Sequence, residues 1–496
     1  MRVVQPLQPQ LGELAIAEID IDLKSRDEIA QLLRGLQYIY TNAELREAVF
    51  QRLEKSIQPK TNKETGRPGL SLWNIFVMGV FRLDLNWDYD HLHGQVNNHK
   101  TLRQMLGHAD IFDSHYYHCQ TIKDNVTLLT PELLDEINQV VVQAGHGVAK
   151  KKGNEALRGR CDSFVVETTV HYPTDINLLY DAMRKVIILT ARLCESYAMT
   201  DWRQHAYNVR QVKRAMRATQ MKKRGGGKTE VQKIKRQAQI IEAHQAYVDV
   251  AQPFLDKACL SLKTLEDKGL SSVVQKAQCA EIKDYRAHAD RQIDQIKRRV
   301  LEGKTIPHDE KVFSIFEPHT EWIVKGKAGV PVELGLRVCV LEDQHQFLLH
   351  YRVMEKETDD RIAVDMVSEA KKRFADLTTC SFDKGFHSPS NQKALAELLT
   401  TAALPRKGKL SEKAKTQEAS DELRRAHKNH SAIESAINAL EVHGLDCCPD
   451  KGIDGFKRYV ALAIVARNLQ RLGTILIGQE RQCLERQQKR RLKQAA

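Results

Sequence analysis

The stretch GRCDSFVVETTVHYPTD, residues 159–175, raises the question on which the reading of this chain turns. Phe164, Val166 and Thr168 alternate with Val165 and Glu167, and the β-branched content suits a pleated, half-buried surface. Pro173 ends the run, because it has no N–H to give a ladder. The spacing therefore predicts a strand with Asp162 at its head. An ionised carboxylate at the end of an apolar strand is costly to desolvate unless something cationic compensates it. Its partner has to come from elsewhere in the chain.

Outward from that strand, 496 residues suffice for roughly three domains of ordinary size. Lysine and arginine number 76 against 64 acids, a net charge of +12. Such a balance points to an anionic partner, with nucleic acid the commonest for a soluble chain; a merely basic globular protein is the plainer reading. The ten cysteines are scattered and form no C-x-x-C pair, which argues against zinc and for a reducing, cytoplasmic setting. MRVVQPLQPQ lacks the apolar core of a secretion signal, and no unbroken apolar run approaches a membrane span. No membrane partner is expected.

Residues before about 150 read as helices. Ser25–Glu28 and Thr41–Glu44 match the capping-box pattern. Leu72, Ile75, Phe76, Val80 and Leu83 recur at helical spacing, and shorter helices follow over 88–97 and 101–106, the latter closed by Gly107. These short helices suit either a helix-turn-helix reader of DNA or an ordinary bundle. Thr130-Pro131 opens one more helix, expected to end at Gly145.

After the strand, residues 176–302 read as long helices. Twelve lysines and arginines and one acid, Glu230, lie between Arg203 and Arg236, interrupted by Gly225-Gly226-Gly227. Val231, Ile234, Ala238 and Ile241 are spaced as one helix–helix seam, and Ile282, Tyr285, Ala289, Ile293 and Ile296 as another. A solvated charged hairpin would look like this; so would a basic arm along a phosphate backbone, and twelve to one favours the arm. Lys222, Lys223 and Arg224 are its densest cluster.

From about 330 the period shortens. PVELGLRVCVLED and QFLLHYRVM are two strands of a hairpin; 361–376 is helical; TTCSFDKGF is a strand ending at Asp383; TAAL is a short last strand. HSAIESAINALEVHG is a helix closed by Gly444, and Arg481–Lys493 is a basic helix or tail. The fold class is α/β, with a large helical insertion after the first strand and an all-helical N-terminal domain.

Three acids can then converge. Asp162 stands on the first strand, Asp383 ends the fourth, and Glu434 lies near the start of the HSAIESAINALEVHG helix. Sites in α/β sheets form where strand ends meet neighbouring loops. Three clustered carboxylates repel unless they share cations, and two Mg²⁺ ions about 3.5–4 Å apart are what in-line attack on a phosphodiester uses. Glu167, Asp175, Asp376 and Asp446 compete for the same roles, and spacing alone does not decide among them.

CDSFVVETTVHYPTDINLLYDAMR (161–184), FEPHTEWIVKGKAG (316–329), SFDKGFHSPSN (381–391) and the run from His430 to Gly473 resemble bacterial insertion-sequence transposases of the ISNCY type. GRPGLSLWNIFVMGVF (66–81) resembles their helical N-terminal region. That group belongs to the DDE class, with a ribonuclease-H-like catalytic domain. The resemblance implies that Asp162, Asp383 and Glu434 are the catalytic and metal-binding triad, with Mg²⁺ (or Mn²⁺), two ions, as cofactor. It implies double-stranded DNA as partner, both inverted repeats and target, with a homodimer on paired ends in the bacterial nucleoid. The expected organisation is 1–150 a helical DNA-binding domain, 155–175 the first catalytic strand, 176–305 the basic insertion, 306–475 the rest of the catalytic domain, and 476–496 a basic tail. Lys325, Lys327 and Lys384 are candidates for holding the DNA backbone. Many relatives carry Tyr, Arg and Lys around the glutamate where this chain has His427, His430 and Glu441, so His430 is the one auxiliary candidate there. The rival readings are a non-catalytic DNA-binding regulator and a nuclease of the same fold that cuts without joining.

Overall fold

The computed structural model describes residues 3–5, 12–55, 69–109, 113–150, 155–223, 229–270, 272–324, 331–406 and 420–495. The opening strand, β1 (Leu157–Thr168), begins five residues before Asp162, which therefore sits inside the strand and not at its head. Leu157, Gly159 and Cys161 are buried and alternate with Arg158 and Arg160, a polar face that hid the strand's first half.

Among the described residues six further strands join it: β2 (Glu321–Val324), β3 (Val332–Glu342), β4 (Leu348–Met354), β5 (Leu377–Phe382), β6 (Thr401–Ala403) and β7 (Cys447–Cys448). The sheet is mixed. β3 runs antiparallel to β1, β2 and β4, whereas β5 and β7 run parallel to β1, and β6 parallel to β5. β1 thus lies between β3 and β5, although more than 150 residues separate it from either. The hairpin and the fourth predicted strand share one sheet with it, as the need to pair its backbone groups requires. β2 was not read from the sequence: four residues are too short a run to show a period.

The chain folds as two compact units: residues 1–169 with 321–496, and residues 170–320. In the first, the N-terminal helices do not form the separate domain expected up to residue 150. They are α1 (Glu28–Thr41), α2 (Ala43–Glu54), α3 (Leu72–Asp84), α4 (Tyr89–Asn98), α5 (Lys100–Met105), α6 (Cys119–Val126) and α7 (Pro131–Ala149), and they share one apolar core with the sheet. Buried polar links hold the two parts together. Asn468 Nδ2 donates to Asn138 Oδ1 (2.7 Å) and to the Leu348 carbonyl of β4 (3.0 Å). Arg82 of α3 grips Asp450 with both terminal nitrogens (2.7 and 3.2 Å).

The sheet-side helices of this unit are α12 (Asp359–Arg373), α13 (Pro389–Leu398), α14 (Asp421–His430), α15 (Ala432–Leu440) and α16 (Gly452–Ala495); α8 to α11 belong to the second unit. The helix expected as one piece over 430–444 is broken at Ser431. Gly444 closes its far side at φ +110°, a conformation glycine adopts without a Cβ clash. α16 packs against α1, α3 and α7, and its crossing with α1 is so close that a Cβ on Gly473 would strike the Gln31 carbonyl. By length and composition α16 could cross a membrane, but 78% of its apolar window is buried inside this unit. Its exposed basic end starts at Arg481; Leu476 and Ile477 are still buried.

The second unit consists of α8 (Asp175–Glu195), α9 (His205–Lys223), α10 (Glu230–Asp267) and α11 (Val273–Ile296) around its own core. Ile282, Ala289, Ile293 and Ile296 are buried, as their spacing predicted. The other predicted seam is not one: Val231 is 76% and Ile234 70% exposed. α10 is 38 residues long, and its buried face starts only at His244 and Tyr247, because its first turns extend beyond the core. The two predicted capping boxes are likewise displaced. Asp27 and Asn42 cap α1 and α2, each accepting from backbone N–H groups of the first turn. Asn42 is a better cap than the adjacent Thr41, whereas Asp27 and Ser25 are about equal as caps.

Candidate active site

Cys161 and Phe382 form the last register pair of the parallel β1–β5 ladder. The next residue on each strand is Asp162 and Asp383, so the two carboxylates leave neighbouring strands about 5 Å apart. Asp383 is exposed; β5 has ended there, and the chain turns into a single 3-10 turn, Lys384–Phe386. Glu434 is also exposed, in the first turn of α15, and α15 packs on β1.

The electrostatics bring these groups together. Burial raises the Asp162 carboxyl to about 6, only partly opposed by the hydrogen bond from the Ser163 N–H, and the charges of Asp383, Asp359 and Glu434 raise it further. Among the described residues, no ion pair joins Asp162, Asp383 or Glu434 to a cation. Three of the four competing acids are accounted for locally. Asp175 pairs with Arg299 (3.0 Å), Asp376 with Lys150, and Asp446 accepts from the Cys447 N–H (2.8 Å).

Asp359 escaped the sequence reading. It lies in the first turn of α12, where an acid has an ordinary role beside the helix dipole. Ser163 Oγ donates to its Oδ1 (2.7 Å), which ties α12 to β1 one residue past Asp162. His430, at the end of α14, is buried with Nδ1 3.1 Å from Ser381 Oγ. Desolvation lowers its pKa, with Asp383 pulling the other way. Burial thus favours the neutral imidazole, and its contact is with the Ser381 hydroxyl.

Of the candidate DNA contacts, Lys384 is exposed directly after Asp383, and Lys222 and Lys223 are exposed at the end of α9. Arg224, Lys325 and Lys327 lie outside the described residues. α9 turns Asn208, Val212, Met216 and Thr219 inward. Arg210, Arg214 and Arg217 are exposed and have no acidic partner among the described residues.

The donor set around Asp162 is all oxygen and uncompensated, which suits a hard divalent cation. Among the described residues no three His, Cys, Asp or Glu side chains stand together at ligating distances. Against known proteins, no family model matches this sequence, and neither a curated protein nor a solved structure matches it.

Proposed function

We propose that the chain is a DNA transposase of the DDE class, with a ribonuclease-H-like catalytic sheet. The observation that carries this reading is that Asp162 and Asp383 each follow the last pair of the parallel β1–β5 ladder, with Glu434 on the helix packed on β1 and no cationic partner among the described residues. Acids gathered this way destabilise a fold that has no use for them, and the same gathering is what divalent-metal phosphoryl chemistry requires. The uncompensated cations of α9 and the net charge of +12 support a polyanionic substrate.

Asp162, Asp383 and Glu434 would hold the Mg²⁺ ions, which when bound supply activation of an attacking oxygen and stabilisation of a leaving one. The protein's own part is to fix these carboxylates: the rigid β1–β5 ladder sets two of them and α15 delivers the third. The Ser163–Asp359 hydrogen bond holds α12 against β1 beside them. Lys384 offers a phosphate contact that positions a strand without reading its sequence.

The test is cleavage of DNA carrying the element's flanking repeats, with Mg²⁺ and with a chelator. Mg²⁺-dependent cuts at the repeat ends are expected. Joining of pre-cut 3′-hydroxyl ends to a second DNA separates a transposase from a nuclease that only cuts. Binding without metal-dependent cleavage would replace the reading with a DNA-binding regulator.

A further inference from the structure

A cavity of about 550 Å³ opens on the face of the sheet that carries Asp162, below α14. Arg158 and Arg160 of β1 and Thr379 and Ser381 of β5 line it, and Arg425 and Lys428 of α14 face them. One acid, Glu422, lies on its wall. Arg158, Arg425, Lys428 and Glu422 have no ion-pair partner among the described residues. Arg160 Nη2 is committed to Glu342 Oε2 and the Asp343 carbonyl (both 2.6 Å), but its buried Nε has no partner.

The position matters as much as the charge. Arg160 and Ser381 are register partners, two residues before Asp162 and Asp383 on the same strands. Side chains two apart share a face, so the cavity floor lies about 7 Å from the acid pair along one groove. That is close to the separation of neighbouring phosphates in a nucleic-acid strand. The carboxylates alone repel such a strand, and an adjacent cationic pocket supplies the attraction that seats it. Among the described residues no aromatic ring lines the cavity to stack on a base; guanidinium, ammonium and hydroxyl donors are groups for phosphate oxygens.

We propose that this cavity is a phosphate subsite that holds the sugar–phosphate backbone next to the carboxylate cluster, in place of the basic residues missing around Glu434. The assignment rests on the chain being a DNA-processing enzyme, and it names where the substrate strand is held. A phosphodiester within the strand and a terminal phosphate share this chemistry.

The experiment uses the full chain, a chelator, and a fluorescent duplex with either a 5′-phosphate or a 5′-hydroxyl. Anisotropy gives affinity against salt for the wild type and for Arg425→Gln with Lys428→Gln, two exposed residues without partners. A loss of affinity on the order of tenfold is expected, with the log–log salt slope smaller by roughly 0.9 for each lost contact. Arg425→Lys should retain most of the slope, and DNA should protect Lys428 from amine acylation. Loss only with the 5′-phosphate assigns the site to a terminal phosphate; equal loss with both duplexes assigns it to the backbone. Unchanged affinity and slope, with Lys428 labelled equally with and without DNA, overturn the proposal. Parallel cleavage by Asp383→Asn separates the two readings. If that variant still cuts while the pocket variant binds weakly, the subsite stands and the triad falls; the reverse pair of results removes the subsite alone.

Discussion

Around Arg160, acid meets base, whereas two residues further along β1 Asp162 meets only other acids. Arg160 contacts Glu342 at 2.6 Å, and His146 Nε2 lies 2.6 Å from Asp343 Oδ2 at the neighbouring turn. Burial still pushes the Glu342 carboxyl up to about 7, so even a paired acid is costly there. Asp162 carries the same kind of cost, opposed only in part by the Ser163 N–H and by no ion pair among the described residues. The paired charges around Arg160 have a structural role, and the proposed function gives the unpaired acids beside Asp162 a ligand. Four experiments test that contrast.

The largest effect is expected from Asp383→Asn. It should lower Mg²⁺-dependent cleavage by at least about a hundredfold, since even supporting groups around a metal cost 10–100-fold, while the fold and DNA binding persist. Asp175→Asn, which breaks only the pair with Arg299, should leave cleavage within a few fold. A well-folded Asp383→Asn protein that cuts normally would erase the distinction between the surroundings of Arg160 and of Asp162.

At the paired end, Arg160→Met strands a buried Glu342 and should cost about 3–5 kcal/mol in denaturant unfolding. Adding Glu342→Leu should recover most of that loss, because the uncompensated charge goes with it. Equal instability of the single and double variants would mean that Arg160 acts through packing.

The unpaired end has a pH signature. Asp162 has its folded pKa raised to about 6 from 3.8, so between those values the folded state holds a proton that the unfolded state has released. Stability without divalent metal should therefore fall as pH rises from about 4 to about 6, by roughly 3 kcal/mol. Asp162→Asn should flatten this part of the profile, and Mg²⁺ should restore stability at pH 7. A profile identical in the variant would show that the cluster does not strain the fold.

The smallest effect per residue concerns the unpaired cations of α9, the counterpart of the unpaired acids. Reversing Arg210, Arg214 and Arg217 to glutamate should weaken binding to any DNA and reduce the salt slope by roughly 0.9 per lost contact. An unchanged slope would make that face mere solvated charge.

Much of this arrangement was legible in the residues. Period-two runs marked β1, β3, β4 and β5, and the end of one placed Asp383 just past β5, whereas Asp162, read as the head of its strand, lies inside β1. The basic run of α9 and the second apolar seam were equally plain, since charge and helical spacing are local properties. The Val231–Ile241 seam failed because spacing tells which residues share a face but not whether another helix lies against it.

What only the tertiary structure decided is which distant residues became neighbours. Asp359 is an ordinary first-turn acid until Ser163 is placed 2.7 Å from it, 196 positions away in sequence. Arg158 and Arg160 interrupt an apolar strand until Arg425 and Lys428 of α14 are set across the groove from them. The N-terminal helices read as a separate bundle until Asn138, Asn468 and the Leu348 carbonyl meet in one core. Sequence carries the period of each element because backbone geometry is local; it does not carry the pairing of faces, which is settled by burying all of them at once.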